Sequence, residues 1–132
     1  MTAYASPRAW TRLLLVVSVV LPLAAACGGD DEAAPGPEGP VTSITITSPD
    51  LSFDIEAFEV PVGEPVTLTY ENEDEGVQHN IHIDTGGGQD EPTTPLEAGV
   101  VTQELTFTLD EPGEYPYLCD LHPQMRGTVT AV

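Results

Sequence analysis

From Val41 onward, apolar and polar residues alternate with a period of two, in short bursts. The segment "SITITS" sets Ile44 and Ile46 on one face, and "VTLTY" does the same with Val66, Leu68 and Tyr70. In "VVTQELTFTL", Leu105, Phe107 and Leu109 fall in step, and "GTVTAV" closes the chain. Successive side chains of a strand point to opposite faces, so this period predicts half-buried strands. The abundance of Val, Ile and Thr in the same segments agrees. Turn signals separate them at Ser48-Pro49-Asp50, at 61–65, at Gly86-Gly87-Gly88 and at Asp110-Glu111-Pro112-Gly113. No segment carries a sustained 3.6-residue period with helix caps. Seven or eight short strands over about 90 residues predict an all-β fold, an antiparallel Greek-key β-sandwich.

One segment carries chemistry as well as pattern. In "VQHNIHI", Val77, Ile81 and Ile83 share a face that reads as core, so His79 points inward with them. His82 falls on the opposite face with Asn80 and Asp84 and reads as a solvent-exposed strand histidine. The stretch 84–99 follows, with four Gly and two Pro, and reads as a long loop. It holds no Gly-Lys-Ser/Thr, and its flanking charges are acidic, so it is no phosphate cradle.

The N-terminus follows a different pattern. Leu13 to Ala26 is an uncharged apolar run, preceded by Arg8 and Arg12 and broken by Ser18 and Pro22. That is short for a membrane span and suits the apolar core of a signal peptide. It ends in "LPLAAACGGDD", where three Ala before Cys27 resemble a bacterial lipoprotein signal. The resemblance implies that Cys27 becomes the lipidated first residue of the mature chain. Ala24 departs from it, since Leu is commoner at that position. The other reading is an ordinary secretory signal with Cys27 left over. Residues 28–40, "GGDDEAAPGPEGP", are acidic and rich in Gly and Pro, and read as a flexible linker. The expected organisation is a signal peptide over 1–26, a lipidated Cys27 with its linker over 27–40, and one folded domain over 41–132. The chain would sit tethered outside the cytoplasmic membrane.

Charge narrows the partners. Asp and Glu number 22 against three Arg, for a net charge of -19. Once the signal is removed, 22 acids stand against Arg126 alone, which gives -21. Such a chain repels nucleic acid and anionic headgroups. It suits a basic partner, a high-salt environment, or simply a solvated acidic surface.

The candidate chemistry lies in "YPYLCDLHPQMRG". Cys119, His122 and Met125 are spaced three apart between two predicted strands. A thiolate, an imidazole and a thioether are a soft ligand set, which selects copper or zinc over magnesium or calcium. Zinc rarely uses Met, and its structural sites take four Cys or His, whereas this domain has a single Cys. A blue-copper electron-transfer centre takes two His and one Cys with a long axial Met. The second His must be His79 or His82, and the inward face favours His79. Taken one at a time, Cys119 is also readable as a buried thiol or as half of a disulfide to Cys27, Met125 as core filling and His122 as a loop residue.

With these residues in view, the domain resembles a cupredoxin of the plastocyanin and amicyanin type. "ENEDEGVQHNI" resembles the family's Asn-x-Asp run before His-Asn, with Asn72, Asp74, His79 and Asn80 in place. "YPYLCDLHPQM" resembles the ligand loop, and its short Cys-x2-His-x2-Met spacing is nearer to amicyanin than to plastocyanin. "FEVPVGEPVTLTYEN" resembles the strand, Gly turn and strand before the first ligand. The resemblance covers residues 41 to 132. It implies one copper, held strongly by His79, Cys119 and His122 and weakly by Met125. It implies that Asn80 ties its strand to the ligand loop by side-chain hydrogen bonds. Asp120 departs from the family, where Ser or Thr often follows the Cys. An anionic Asp120 can accept the Asn80 amide, but its charge favours Cu(II) and a lower potential.

The function this implies is single-electron transfer between redox partners outside the cytoplasm, by a monomer. Electrons would pass through the exposed edge of His122, within an apolar rim of Leu121, Pro123 and Pro116. The alternative is a tethered protein for copper delivery or tolerance. Such proteins use open Met or His clusters, and this chain has two Met, one of them the initiator. An enzyme is not expected. Three His cannot build a multinuclear oxidase centre, and a binuclear copper site would need a second Cys in the loop.

Overall fold

The period-two segments become strands. A computed structural model describes residues 34–132, so the expectations for the signal segment and Cys27 lie outside the described residues. The elements are β1 (Ser43–Ser48), β2 (Ala57–Val60), β3 (Val66–Asn72), β4 (Gln78–His79), β5 (His82–Ile83), β6 (Glu97–Ala98), β7 (Val101–Phe107), β8 (Gly113–Leu118) and β9 (Arg126–Ala131). They form sheets in the orders β1-β3-β7 and β2-β9-β8-β5, with a small β4-β6 pair. Among the described residues there is no helix, so none is long and apolar enough to cross a membrane.

The alternation places the core between the two larger sheets. β3 buries Val66, Leu68, Tyr70 and Asn72, and β1 buries Ile44, Ile46 and Ser48. The other sheet contributes Phe58, Val60, Ile83, Tyr117, Val129 and Ala131 to the same cluster. Phe53, from the turn region after β1, bridges them, its ring 6.1 Å from that of Tyr70 and 5.5 Å from that of Tyr117. Each large side chain fully removed from water here contributes roughly 1.5–3 kcal/mol.

Three features differ from the sequence-based expectation. First, the sandwich is mixed rather than antiparallel: β1 runs parallel to β3, and β2 parallel to β9. After β1 the chain crosses to the second sheet to make β2, then returns as β3 in the original direction, as parallel neighbours require. Alternation records which side chains face the core and is silent on the direction of the neighbour. Among the described residues there are also nine elements rather than seven or eight, because β4, β5 and β6 are two-residue pieces.

Second, "HNIHI" is not one strand. β4 pairs with β6 and β5 pairs with β8, so the chain changes sheet at Asn80 and Ile81. The alternation breaks there, and Asn80 is buried beside His79 instead of facing out. Third, residues 34–40 are docked. Ala34 bridges Ile55, Pro40 bridges Glu59, and the Val41 N–H donates to the Glu59 carbonyl at 2.8 Å. The segment covers the open edge of β2, which would otherwise present unpaired backbone. Gly36 makes the approach possible, since a Cβ there would lie 1.9 Å from the Ala57 carbonyl oxygen.

A second glycine supports the site directly. Tyr117 on β8 lies opposite Gly127 on β9, and a Cβ on Gly127 would meet the Tyr117 ring at 2.3 Å. The ring fills the space of the missing side chain and donates its hydroxyl to the Ile55 carbonyl. We expect Gly127→Ala to cost about 1–3 kcal/mol, the usual range for overpacking. Urea unfolding of the variant checks this. An unchanged midpoint would mean that Tyr117 yields without loss.

Candidate metal centre

The seven residues from Cys119 to Met125 connect β8 to β9, and their spacing has a local cause. The His122 N–H donates to the Cys119 carbonyl at 3.3 Å, and the Met125 N–H donates to the His122 carbonyl at 2.8 Å. These are two successive i to i+3 turns, with Cys119, His122 and Met125 at their corners. The Cys119 N–H closes the loop on the Met125 carbonyl at 3.1 Å. Pro123 begins the second turn and has no N–H to leave unpaired. Its carbonyl accepts from the Arg126 guanidinium across the loop.

His79 comes from β4, 40 residues earlier in the chain. It is fully buried, as is Cys119. The Cys119 Sγ lies 3.7 Å from the His79 Nδ1 and 3.6 Å from the His122 Nδ1. The two imidazole rings stand 4.6 Å apart between centroids at 61°. The three donor atoms lie within 4.8 Å of one another, and together they can hold a metal ion. Met125 is buried in the same core cluster at the end of the loop.

The ring of His79 is oriented from behind. Its Nε2 lies 2.8 Å from the Asp74 carboxylate. A neutral ring donates to that carboxylate through its Nε2–H, and in that tautomer the Nδ1 lone pair faces Cys119. Asp74 also accepts the N–H groups of Asp50 at 2.7 Å and Leu51 at 2.9 Å, two residues with positive φ. Burial pushes the Asp74 carboxyl up, but these N–H donors and the His79 ring outweigh it and lower its pKa. Buried Asn72 shapes the turn, accepting the Asp74 N–H and donating to the carbonyls of Val77 and Glu97. The donor set therefore fits a soft metal: two imidazole nitrogens around an unpaired thiol, with His79 and Cys119 buried and His122 partly exposed.

Around this cluster lies a ring of polar contacts. Asn80 donates to Asp120 at 2.8 Å and to the Thr93 hydroxyl at 3.1 Å, and its Oδ1 accepts the Asp120 N–H at 3.0 Å. His82 is not a free surface residue. Its Nδ1 lies 2.8 Å from Asp120 and its Nε2 2.7 Å from Glu91, and its side chain keeps only 25% of its exposure. Sequence reasoning assigned no role to Asp74 or Glu91. Asp74 stood in a quoted motif, but nothing local says that its carboxylate reaches back to the ring five residues on. Glu91 lies in the stretch read as a plain loop.

Comparison with known proteins agrees with this architecture. Residues 13–131 match the family described as Cupredoxin-like domain, and the chain belongs to it. It is 29% identical over 94 residues to amicyanin-alpha of Methylorubrum extorquens, covering 70% of this chain and 74% of the relative. The structure of dithionite-reduced auracyanin from Roseiflexus castenholzii superimposes with a TM-score of 0.65 at 27% identity, covering 71% of this chain and 99% of that one. Auracyanin A of Chloroflexus aurantiacus, described as a blue copper protein, superimposes with a TM-score of 0.58 at 26% identity, covering 71% and 100%.

Proposed function

We propose that the chain is a mononuclear type 1 copper protein that carries single electrons between redox partners outside the cytoplasm. The observation that carries this reading is the meeting of His79, Cys119 and His122 donor atoms within 4.8 Å, with buried Met125 at the end of the same loop. Copper bound there supplies a one-electron Cu(I)/Cu(II) couple. His79 and Cys119 would hold it from the buried side, with Asp74 fixing the His79 ring. Met125 would add a weak thioether donor. The donors stand on buried, hydrogen-bonded backbone, so little would have to move when an electron passes.

His122 is the partly exposed member, so its ring edge is the route to a partner. Leu121, 51% exposed, and exposed Pro123 form an apolar rim beside it for brief docking. The acidic surface steers a basic partner at low salt. Leu13 to Ala26 and Cys27 support export and a lipid tether on the outer face of the membrane. The role is transport of electrons by a monomer, not catalysis. Delivery or storage of copper is less well served, since the ligands are buried and already converge.

Adding Cu(II) to the purified protein tests this. An intense visible charge-transfer band and fast reversible one-electron reduction are expected. A colourless protein would overturn the reading, and a coloured one that gives up copper without reversible reduction would point to copper handling.

A further inference from the structure

His82 has both ring nitrogens on carboxylates, Nδ1 on Asp120 and Nε2 on Glu91. A neutral imidazole carries one N–H and can donate to only one of them. Two ionised partners therefore need the imidazolium. Each partner ties down a different loop. Asp120 follows Cys119 directly and is held by Asn80 through both its N–H and its carboxylate. Glu91 accepts the N–H groups of Thr85 and Gly87, both at 3.0 Å, and so gathers the Gly-rich loop after β5. The register partners of His82, Leu118 on β8 and Thr93 in an isolated bridge, carry no charge. Asp120 and Glu91 are thus the charged groups that face the ring.

We propose that His82 is a positioning residue for the copper centre: as an imidazolium it offsets the Asp120 charge beside Cys119 and fastens the ligand loop to the Gly-rich loop, so that its loss of a proton lowers the reduction potential. This rests on the copper reading above. The unusual carboxylate after the Cys is then half of an ion pair rather than a bare charge. With His82 charged, the trio sums to one negative charge, and with His82 neutral it sums to two. The added negative charge favours Cu(II).

The sign against pH follows from the same contacts. The Asp120 hydrogen bond raises the His82 pKa above the ordinary imidazole value, burial opposes it, and Glu91 adds to the rise. A raised folded pKa means that the clamp is fully formed below the unfolded value and is released as pH rises through the folded one. The potential should be flat while His82 is charged and fall across its titration.

The test has two arms on the purified protein. Histidine-ring NMR of the copper-free form reads the His82 titration directly. Voltammetry of the copper-loaded form reads the potential over the range from about pH 5 to about pH 9. His82 is expected to titrate later than a free imidazole, and the potential to fall over that same range. His82→Gln should lower the potential at neutral pH and remove the fall. Asp120→Asn should shrink it. If His82→Gln does not fold, Glu91→Gln serves instead, and it should move both the ring titration and the fall to lower pH. An ordinary ring titration, or a fall in potential that survives His82→Gln, overturns the inference while the visible band stands. Absence of the band overturns the copper reading and this inference together.

Discussion

Replacing Cys119 by Ser is expected to abolish the intense visible band of the copper-loaded protein. The band needs a thiolate donor, and Cys119 is the only cysteine among the described residues. The loss should be complete rather than graded, because no other thiol stands among the described residues, and a thioether such as that of Met125 is a far weaker donor. Copper retention falls with it. A metal that binds only the folded state stabilises it by RT ln(1 + [L]/Kd), about 4 kcal/mol at a free concentration a thousand times Kd. For a domain of this size that is a rise in Tm of roughly 16–32 °C, at about 4–8 °C per kcal/mol. The variant should show no such rise. Its copper-free form should lose only about 1–3 kcal/mol, the cost of a hydroxyl where a fully buried thiol had been. Calorimetry with and without copper separates the two effects. A variant that keeps the band, or keeps the copper-induced rise in Tm, would remove Cys119 from the site.

Asp74→Ala should weaken copper binding by about 10–100-fold, the usual consequence of removing the group that orients a ligating histidine. The carboxylate touches no metal. It accepts from the His79 Nε2 at 2.8 Å and so keeps the Nδ1 lone pair turned toward Cys119. Without it, the buried ring loses both its tautomer preference and its anchor. The same substitution also releases Asp50 and Leu51, which sit at φ 51° and 60°. Left-handed backbone at such residues costs of order 1–3 kcal/mol each and persists only where neighbours enforce it. The N–H donors of both residues end on Asp74. Competition with a copper chelator reads the affinity, and thermal unfolding of the copper-free form reads the release. Asp74→Asn should retain part of both, since its amide oxygen still accepts. If Asp74→Ala keeps wild-type affinity, the His79 ring is held by packing alone.

These two residues show how differently parts of the site could be read in advance. Cys119, His122 and Met125 form a local pattern. Two turns of three residues bring their corners together within one hairpin connection, so spacing in the chain is close to spacing in space. His79 is 40 positions earlier, yet period-two alternation in its segment already marked it as inward. The same argument misplaced Asn80. It assumed one continuous strand where the chain changes from the β4-β6 pair to the β5-β8 ladder. His82 was displaced for another reason: alternation turns it away from the core correctly, but the outer side of β5 is covered by Asp120 and Glu91.

Sequence by itself therefore determined the all-β class, the core face of each long strand and the local grouping of Cys119 with His122 in one loop. All of these depend on residues within one strand or one turn of each other, where backbone geometry converts spacing into position. Tertiary structure alone decided the rest: the parallel pairing of β1 with β3 and β2 with β9, the docking of residues 34–40 along β2, the Asp74 support behind His79, and the pairing of Asp120 with His82. Each of these joins segments through a hydrogen bond or a strand direction that no periodicity encodes. The charge beside Cys119 could be read from residue 120, but its partner became visible only once the chain had folded.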